Sequence, residues 1–293
     1  MDAAPVTALG SRATLVDPAA QVAFARDGHV TVPLLDDEAV DELRAVFHDL
    51  FPGRATGFVP TAAYATRAQK QATTEVLFER LVPRIAPLFD RHRPFMAAFL
   101  VKWPGEAGVV PLHQDDWHVD ERRFRAVAVW IALDDVGPEE GNGPLEVVAG
   151  SQWVEARPRG TGTPWPYTAE CGHLAEHHLV TVPARRGEAV VLDNGVVHGS
   201  APNRTDRPRL AVAIGMAPEE AGLVQAVADD AGQVWLFDVD PDFYVEQDLK
   251  AMTVAGLAER HRCRERLPAL PPTLSAEEHE RLCARGCGTH PGR

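Results

Sequence analysis

The sequence predicts a mainly β protein with flanking helices, built on a jelly-roll (double-stranded β-helix) core. Three observations predict it. From residue 94 onward, short β-branched-rich runs follow one another; turn residues separate them; and apolar residues at helical spacing lie mainly before them. All-β domains of ~200–250 residues commonly form one unit. The expectation for these 293 residues is therefore one domain. It comprises a helical N-terminal part over 18–93, a jelly-roll core over 94–217 with a lid-like insert at 153–183, and a C-terminal extension over 218–293.

Residues 1–17 are small and unpatterned, a frayed end. Asp17-Pro18 suits a helix N-cap followed by proline in the first turn, and Gly28 a helix end. His29 to Leu34 reads as a strand. Asp36 or Asp37 caps a second helix with Val40, Leu43, Val46, Phe47 and Leu50 on one face. A loop carrying Phe58 and Tyr64 follows, then a helical segment from Val76 to Phe89 that Pro83 and Pro87 should kink or divide. The strands of the core are Phe95–Trp103, Val110–Asp115, Arg125–Leu133, Pro144–Val148, Glu188–Asp193, Val196–Ser200 and Pro208–Met216. Asn194-Gly195 between two apolar runs signals a hairpin with a type I′ turn. Beyond the core, a strand at Val234–Phe237, a helix around Glu246–Arg262 and a polar tail are expected.

Composition excludes several classes. With 29 Lys and Arg against 42 Asp and Glu, the net charge of −13 repels phosphate backbones, so nucleic acid is not the expected partner. The longest apolar run, Ala126–Leu133, is far short of the ~20 residues that cross a bilayer. Met1 to Ala20 has no basic start leading into an apolar stretch, hence no secretory signal. Four cysteines are too few for a disulfide scaffold. A soluble cytoplasmic protein acting on a small molecule is the expectation, its oligomeric state left open.

The chemistry concentrates in Pro111-Leu112-His113-Gln114-Asp115. In a strand, residues two apart share a face, so imidazole and carboxylate can converge on one ion. His198, in the run after Asn194-Gly195, supplies a second imidazole. Two histidines and a carboxylate leave three metal positions open, the facial arrangement of non-haem Fe(II) oxygenases, where zinc more often takes a closed tetrahedral set. His-x-Asp alone is a weak signal: His118-Val119-Asp120 repeats it five residues on, facing the other way if the strand continues. Context favours the first pair. Ser200 follows His198, and Arg209 lies eleven residues beyond it. A guanidinium buried beside a metal needs an anion, and its planar fork suits a carboxylate. Metal, arginine and hydroxyl together describe a pocket for a dicarboxylate cosubstrate.

Four stretches carry a family likeness: Leu100-Val101-Lys102-Trp103-Pro104-Gly105-Glu106, Pro111–Asp115, Gly143–Ser151, and His198-Gly199-Ser200-Ala201-Pro202-Asn203 through Arg209. Over about residues 18–217 the chain resembles the phytanoyl-CoA dioxygenase family of Fe(II)/2-oxoglutarate-dependent oxygenases. The resemblance implies Fe(II) on His113, Asp115 and His198. It implies the far carboxylate of 2-oxoglutarate on Arg209 with help from Ser200, with Arg207 the surface alternative. It implies O2 as co-reactant, succinate and CO2 as products, and hydroxylation of a small organic molecule, possible in specialised metabolism, as the default outcome; desaturation, ring closure or epoxidation would use the same residues. Lys102 and Trp130 match cosubstrate contacts, against snorkelling to solvent for the lysine and core packing for the tryptophan. Related halogenases lack the carboxylate ligand, so Asp115 disfavours halogenation. The rival is a non-oxidative, cupin-like metal binder or isomerase that makes no use of 2-oxoglutarate.

Candidate substrate contacts are Asp116, Trp117 and His118 at the rim, Phe58 and Tyr64 in their loop, and Arg157 and Arg159 in the insert, where a solvated role is the alternative. His177-His178 could replace His198 but has no arginine in register. The tail spacing of His279, Cys283, Cys287 and His290 could hold zinc, although its glycines and Pro291 leave it loose.

Overall fold

A computed structural model describes residues 12–155 and 157–286. Helix α1 (Pro18–Asp27) starts where Asp17 accepts a hydrogen bond from the Ala20 N–H at 2.7 Å. It ends at Gly28, whose φ of 79° few other residues adopt. In α2 (Asp37–Leu50) Asp36 caps the Ala39 N–H, and Val40, Leu43 and Phe47 form the buried face. A short α3 (Thr61–Tyr64) precedes α4 (Arg67–Ile85), which starts well before the expected Val76 because Thr66 and Gln69 form a capping box there. It runs through Pro83 and stops two residues later; Pro87 falls in a separate 3-10 turn. The segment before α1 is tied down rather than frayed from residue 12 on: Arg12 pairs with Asp90 at 3.0 Å and Glu220 at 2.5 Å, and Leu15 is buried.

The strands are β1 (His29–Pro33), β2 (Phe58–Pro60), β3 (His92–Lys102), β4 (Val110–His113), β5 (Val127–Ala132), β6 (Leu145–Val148), β7 (Leu179–Val182), β8 (Glu188–Asp193), β9 (Val197–Ser200), β10 (Arg209–Pro218), β11 (Leu223–Ala228), β12 (Val234–Val239) and β13 (Cys263–Leu267). The jelly roll is a six-stranded sheet, β1-β8-β5-β10-β3-β2, facing a four-stranded sheet, β4-β9-β6-β7. Period-two alternation divides the large sheet's residues. Phe99, Val101, Leu210, Val212, Val129 and Ile131 pack with the helices, while Leu100, Trp130, Ala128 and Ala211 turn toward the small sheet.

Asn194-Gly195 does turn the chain, but not as a type I′ hairpin. Neither residue takes a positive φ, and β8 and β9 belong to different sheets. The turn is a corner between sheets. The Val196 N–H donates to the Asp193 carbonyl at 2.9 Å and the Gly195 N–H to the Asp193 carboxylate at 2.8 Å.

The 153–183 insert is not a lid over the barrel mouth. It contributes β7 and α5 (Cys171–His177) and packs Val154, Tyr167 and Leu174 with Val148 and Val197 on the outer face of the small sheet. Within the extension, the single long helix expected around Glu246–Arg262 is replaced by α6 (Phe243–Glu246), α7 (Val254–Ala258) and β13. A third sheet, β11-β12-β13, closes one end through Phe95, Val119, Ala217, Leu223 and Phe237. The tail forms α8 (Ala276–Gly286), with His279 3.5 Å from Glu170. Cys287, His290 and the side chain of Cys283 lie outside the described residues. No described helix is long and apolar enough to cross a membrane.

Candidate metal centre and cosubstrate cavity

Antiparallel pairing of β4 with β9 puts His113 directly opposite His198, which is how residues so far apart in sequence become neighbours. Their ring centroids are 4.3 Å apart. Asp115 lies just past the end of β4, held by its N–H donating to the Asn194 carbonyl at 3.1 Å. Its Oδ1 is 4.0 Å from Nε2 of each histidine, and one ligand atom from each residue falls within 4.8 Å of the others. Each imidazole donates Nδ1–H to a carbonyl two residues back, His113 to Pro111 at 2.9 Å and His198 to Val196 at 3.0 Å. A carbonyl can only accept, so Nε2 of both rings carries the lone pair a metal requires. Burial and the adjacent His198 push the His113 imidazole down to about 4. Desolvation opposes ionisation of Asp115, but His198, His113, His118 and Arg159 outweigh it and hold the carboxyl below its ordinary range.

The triad opens into a cavity of about 270 Å³ between the two sheets. At one end sits Arg209, 2% exposed and directly opposite Lys102 across β10 and β3. One guanidinium nitrogen donates to the Gly143 carbonyl at 2.8 Å, while the buried Nε has no partner. The guanidinium lies 5.3 Å from the Trp130 ring centroid, and among the described residues it makes no ion pair. Burial pushes Arg209 down to about 10, and Asp134 restores only part of the loss. Lys102 is wholly buried, and its ammonium donates to the Ser200 hydroxyl and the Ala201 carbonyl, both at 2.5 Å. Desolvation first, then Arg209, pushes it down to about 7. A buried guanidinium that lines a cavity without an ion pair needs an anion from outside the chain.

Ser200, Trp130, Phe58 and His118 line this cavity. Lys102 does not; it spends its donors on the Ser200 hydroxyl and the Ser200 and Ala201 carbonyls. Other sequence-predicted contacts are elsewhere. Trp117 is fully buried with Val224, Ala226 and Leu236, and Asp116 accepts from Gln225 at 3.1 Å. Tyr64 is 58% exposed on the outer surface, with the Lys250 ammonium over its ring. Arg157 pairs with Glu278 at 2.6 Å and Glu155 at 3.0 Å. Arg159 is buried, paired with Glu121 at 2.7 Å, and donates from Nε to the Asp115 carbonyl at 2.8 Å. These arginines brace the fold; a carboxylate-rich surrounding, invisible in a linear reading, takes up their charge. Asp120 faces away and holds Arg122 at 2.7 Å. Arg207 is exposed beside Asp206, and His177 and His178 cluster with His173 on α5, away from the triad. Asn194, Phe95, Met96 and Gly215 line the cavity without having been singled out; only the position of Asn194 in the corner gave a sequence signal, and that signal spoke of backbone.

A jelly roll that gathers two imidazoles and a carboxylate beside a buried, unpaired guanidinium defines a class: facial-triad metal proteins that take an anionic cosubstrate. The particular family follows from comparison. Residues 24–211 match the model of the phytanoyl-CoA dioxygenase (PhyH) family, and the chain belongs to it. A zebrafish (Danio rerio) phytanoyl-CoA dioxygenase domain-containing protein 1 is 33% identical over 152 residues, covering 46% of this chain and 50% of that protein. The mouse (Mus musculus) protein of the same description is 32% identical over 133 residues, covering 43% and 45%. The match thus spans about half the length of these curated relatives. Solved structures share the fold. The α-ketoglutarate-dependent carbocyclase SnoK of nogalamycin biosynthesis superposes with a TM-score of 0.53 at 21% identity, covering 73% of this chain and 89% of that one. HygX from Streptomyces hygroscopicus, with nickel and 2-oxoglutarate bound, gives 0.52 at 17%, covering 70% and 88%. The cofactor set that goes with the family is Fe(II), 2-oxoglutarate and O2, and the residues present fit it: inward Nε2 lone pairs for the metal, and an orphaned buried guanidinium for the dicarboxylate.

Proposed function

We propose that this protein is an Fe(II)/2-oxoglutarate-dependent dioxygenase that hydroxylates an unactivated C–H bond of a small organic substrate. The observation that carries the proposal is the Arg209 guanidinium, buried without a carboxylate partner in the cavity of His113, Asp115 and His198. A metal-binding jelly roll that makes no use of 2-oxoglutarate would have to bury that charge for nothing.

His113, Asp115 and His198 would hold the iron, and Arg209 with the Ser200 hydroxyl would hold the far carboxylate of 2-oxoglutarate. When bound, iron and 2-oxoglutarate supply the oxidising power: O2, 2-oxoglutarate and substrate C–H become succinate, CO2 and an alcohol. The chain contributes orientation and exclusion. The Pro111 and Val196 carbonyls fix the two rings. Lys102 holds the Ser200 oxygen from one side, leaving the hydroxyl proton free to be donated into the cavity. Trp130 forms a wall against Arg209, and the apolar sides of the cavity keep out bulk water.

The test is succinate formation from 2-oxoglutarate with Fe(II) and air, with and without candidate substrates. Asp115→Ala should abolish turnover, and Asp120→Ala, outside the cavity, should leave most of it. Equal loss in both would remove the assignment.

A further inference from the structure

Two polar side chains in the cavity are used by neither the triad nor the cosubstrate end. Asn194 is 2% exposed and lines the cavity, and its carboxamide makes no hydrogen bond among the described residues; Oδ1 is shut off from solvent whereas Nδ2 is not, so the group offers the cavity an N–H donor. The corner holds it there by its backbone: its carbonyl accepts from Asp115, and its N–H donates to the Ala126 carbonyl at 3.3 Å. Leaving such a donor unpaired costs about 1–3 kcal/mol, so an acceptor from outside the chain is expected.

His118 is the second. Its ring lines the same cavity, and Nδ1 lies 3.0 Å from the Tyr244 hydroxyl. That hydroxyl has no other partner among the described residues and sits in an apolar cluster with Phe95 and Phe243. Its proton therefore goes to Nδ1, and the imidazole proton sits on Nε2, the nitrogen with no protein partner. The cavity gains an N–H donor. The remaining walls here are hydrocarbon or bare backbone, from Phe95, Met96, Ala128, Leu192 and Gly215. No second cation joins Arg209 in the lining, and Asp115 adds negative charge.

We propose that Asn194 and His118 are the substrate's polar contacts, and that the substrate is an uncharged, largely hydrocarbon molecule with a hydroxyl or carbonyl oxygen close to the carbon oxidised. The inference rests on the oxygenase reading of the same site. A carboxylate or phosphate at this end would find no protein cation of its own, and the two charges of a bound metal are already met by Asp115 and 2-oxoglutarate. At about 270 Å³ the cavity is below the ~300–1,000 Å³ of drug-sized sites and is shared with the cosubstrate, so it encloses only a compact reacting end. Tyr244 is a positioning residue that sets the His118 tautomer.

The experiment uses the full chain loaded with Ni(II) and saturating 2-oxoglutarate under argon, so that nothing turns over. Two probes share one ring: cyclohexanone, an uncharged acceptor, and cyclohexanecarboxylate. Paramagnetic broadening of the probe's proton signals reports binding beside the metal, and calorimetry reports 2-oxoglutarate binding separately. Cyclohexanone should bind about tenfold more tightly than the carboxylate, and Asn194→Ala and His118→Phe should each weaken it about fivefold or more while leaving 2-oxoglutarate affinity within about twofold. Tyr244→Phe should weaken cyclohexanone without changing 2-oxoglutarate binding. The inference is overturned if neither probe is broadened, if the carboxylate binds as well as the ketone, or if variants that keep 2-oxoglutarate hold cyclohexanone as tightly as the wild type. Should the wild type fail to bind 2-oxoglutarate at all, the oxygenase reading falls first, and this inference with it.

Discussion

Lys102 and Arg209 face each other across adjacent strands with no anion between them, an arrangement that sacrifices stability in the empty protein. The consequence for Lys102 has a definite sign. Its ammonium is pushed from 10.5 unfolded to about 7 folded, so between those values the unfolded chain carries the extra proton. Stability from this residue therefore rises with pH from about 7 toward 10.5. Chemical denaturation of metal-free wild type and Lys102→Met at pH 7 and pH 9 should show their difference moving in the wild type's favour at the higher pH. At this scale the sequence was most legible where a residue's chemistry is local. His113, Asp115 and His198 could be named as one cluster because spacing and residue type restrict them, and Ser200 and Arg209 fall in the same cavity. Arg157 and Arg159 were misassigned because their meaning depends on Glu121, Glu155 and Glu278, distant or unremarked carboxylates that three-dimensional packing alone brings together.

Elements were legible where one face is apolar and the ends are marked. Asp17, Pro18 and Gly28 bound α1 as expected, and Glu188–Asp193 is a strand over its full expected span. The corner at Asn194-Gly195 shows the limit of turn chemistry. Asn-Gly reports that the chain reverses, whereas which sheet receives it is decided by the pairing of β9 with β4 and β6. The insert was obscured by its glycines and prolines, because what orders it is a tertiary contact with the outer face of the small sheet. Arg159 ties that insert to the metal loop through Glu121 and the Asp115 carbonyl. Arg159→Met leaves a buried carboxylate short of its partner and should lower unfolding stability by about 3–5 kcal/mol. Urea denaturation measures this. If Arg159 were a solvated lid residue, the change would be negligible.

For the whole molecule, the jelly roll was legible from the number and spacing of strands, whereas the third sheet was not. β11 and β13 carry weak signals alone, and their burial depends on core residues such as Phe95, Val119 and Ala217 that they cover. The extension is thus part of the folded unit. A chain ending at Pro218 should lose cooperative unfolding by circular dichroism, since it exposes that cluster and removes Tyr244 from beside His118. The acidic net charge of −13 surrounds a cavity with a buried guanidinium at one end, so on the proposed reading an anionic cosubstrate is drawn by Arg209 and not by the surface.

The most direct measurement is anaerobic calorimetric titration of 2-oxoglutarate into the Fe(II)-loaded wild type and Arg209→Met. One molecule should bind per chain in the wild type, only with metal present, and about 10- to 100-fold more weakly in Arg209→Met with iron content unchanged. Equal affinity in the two proteins, or binding that ignores the metal, would contradict a cosubstrate held between the triad and the buried guanidinium.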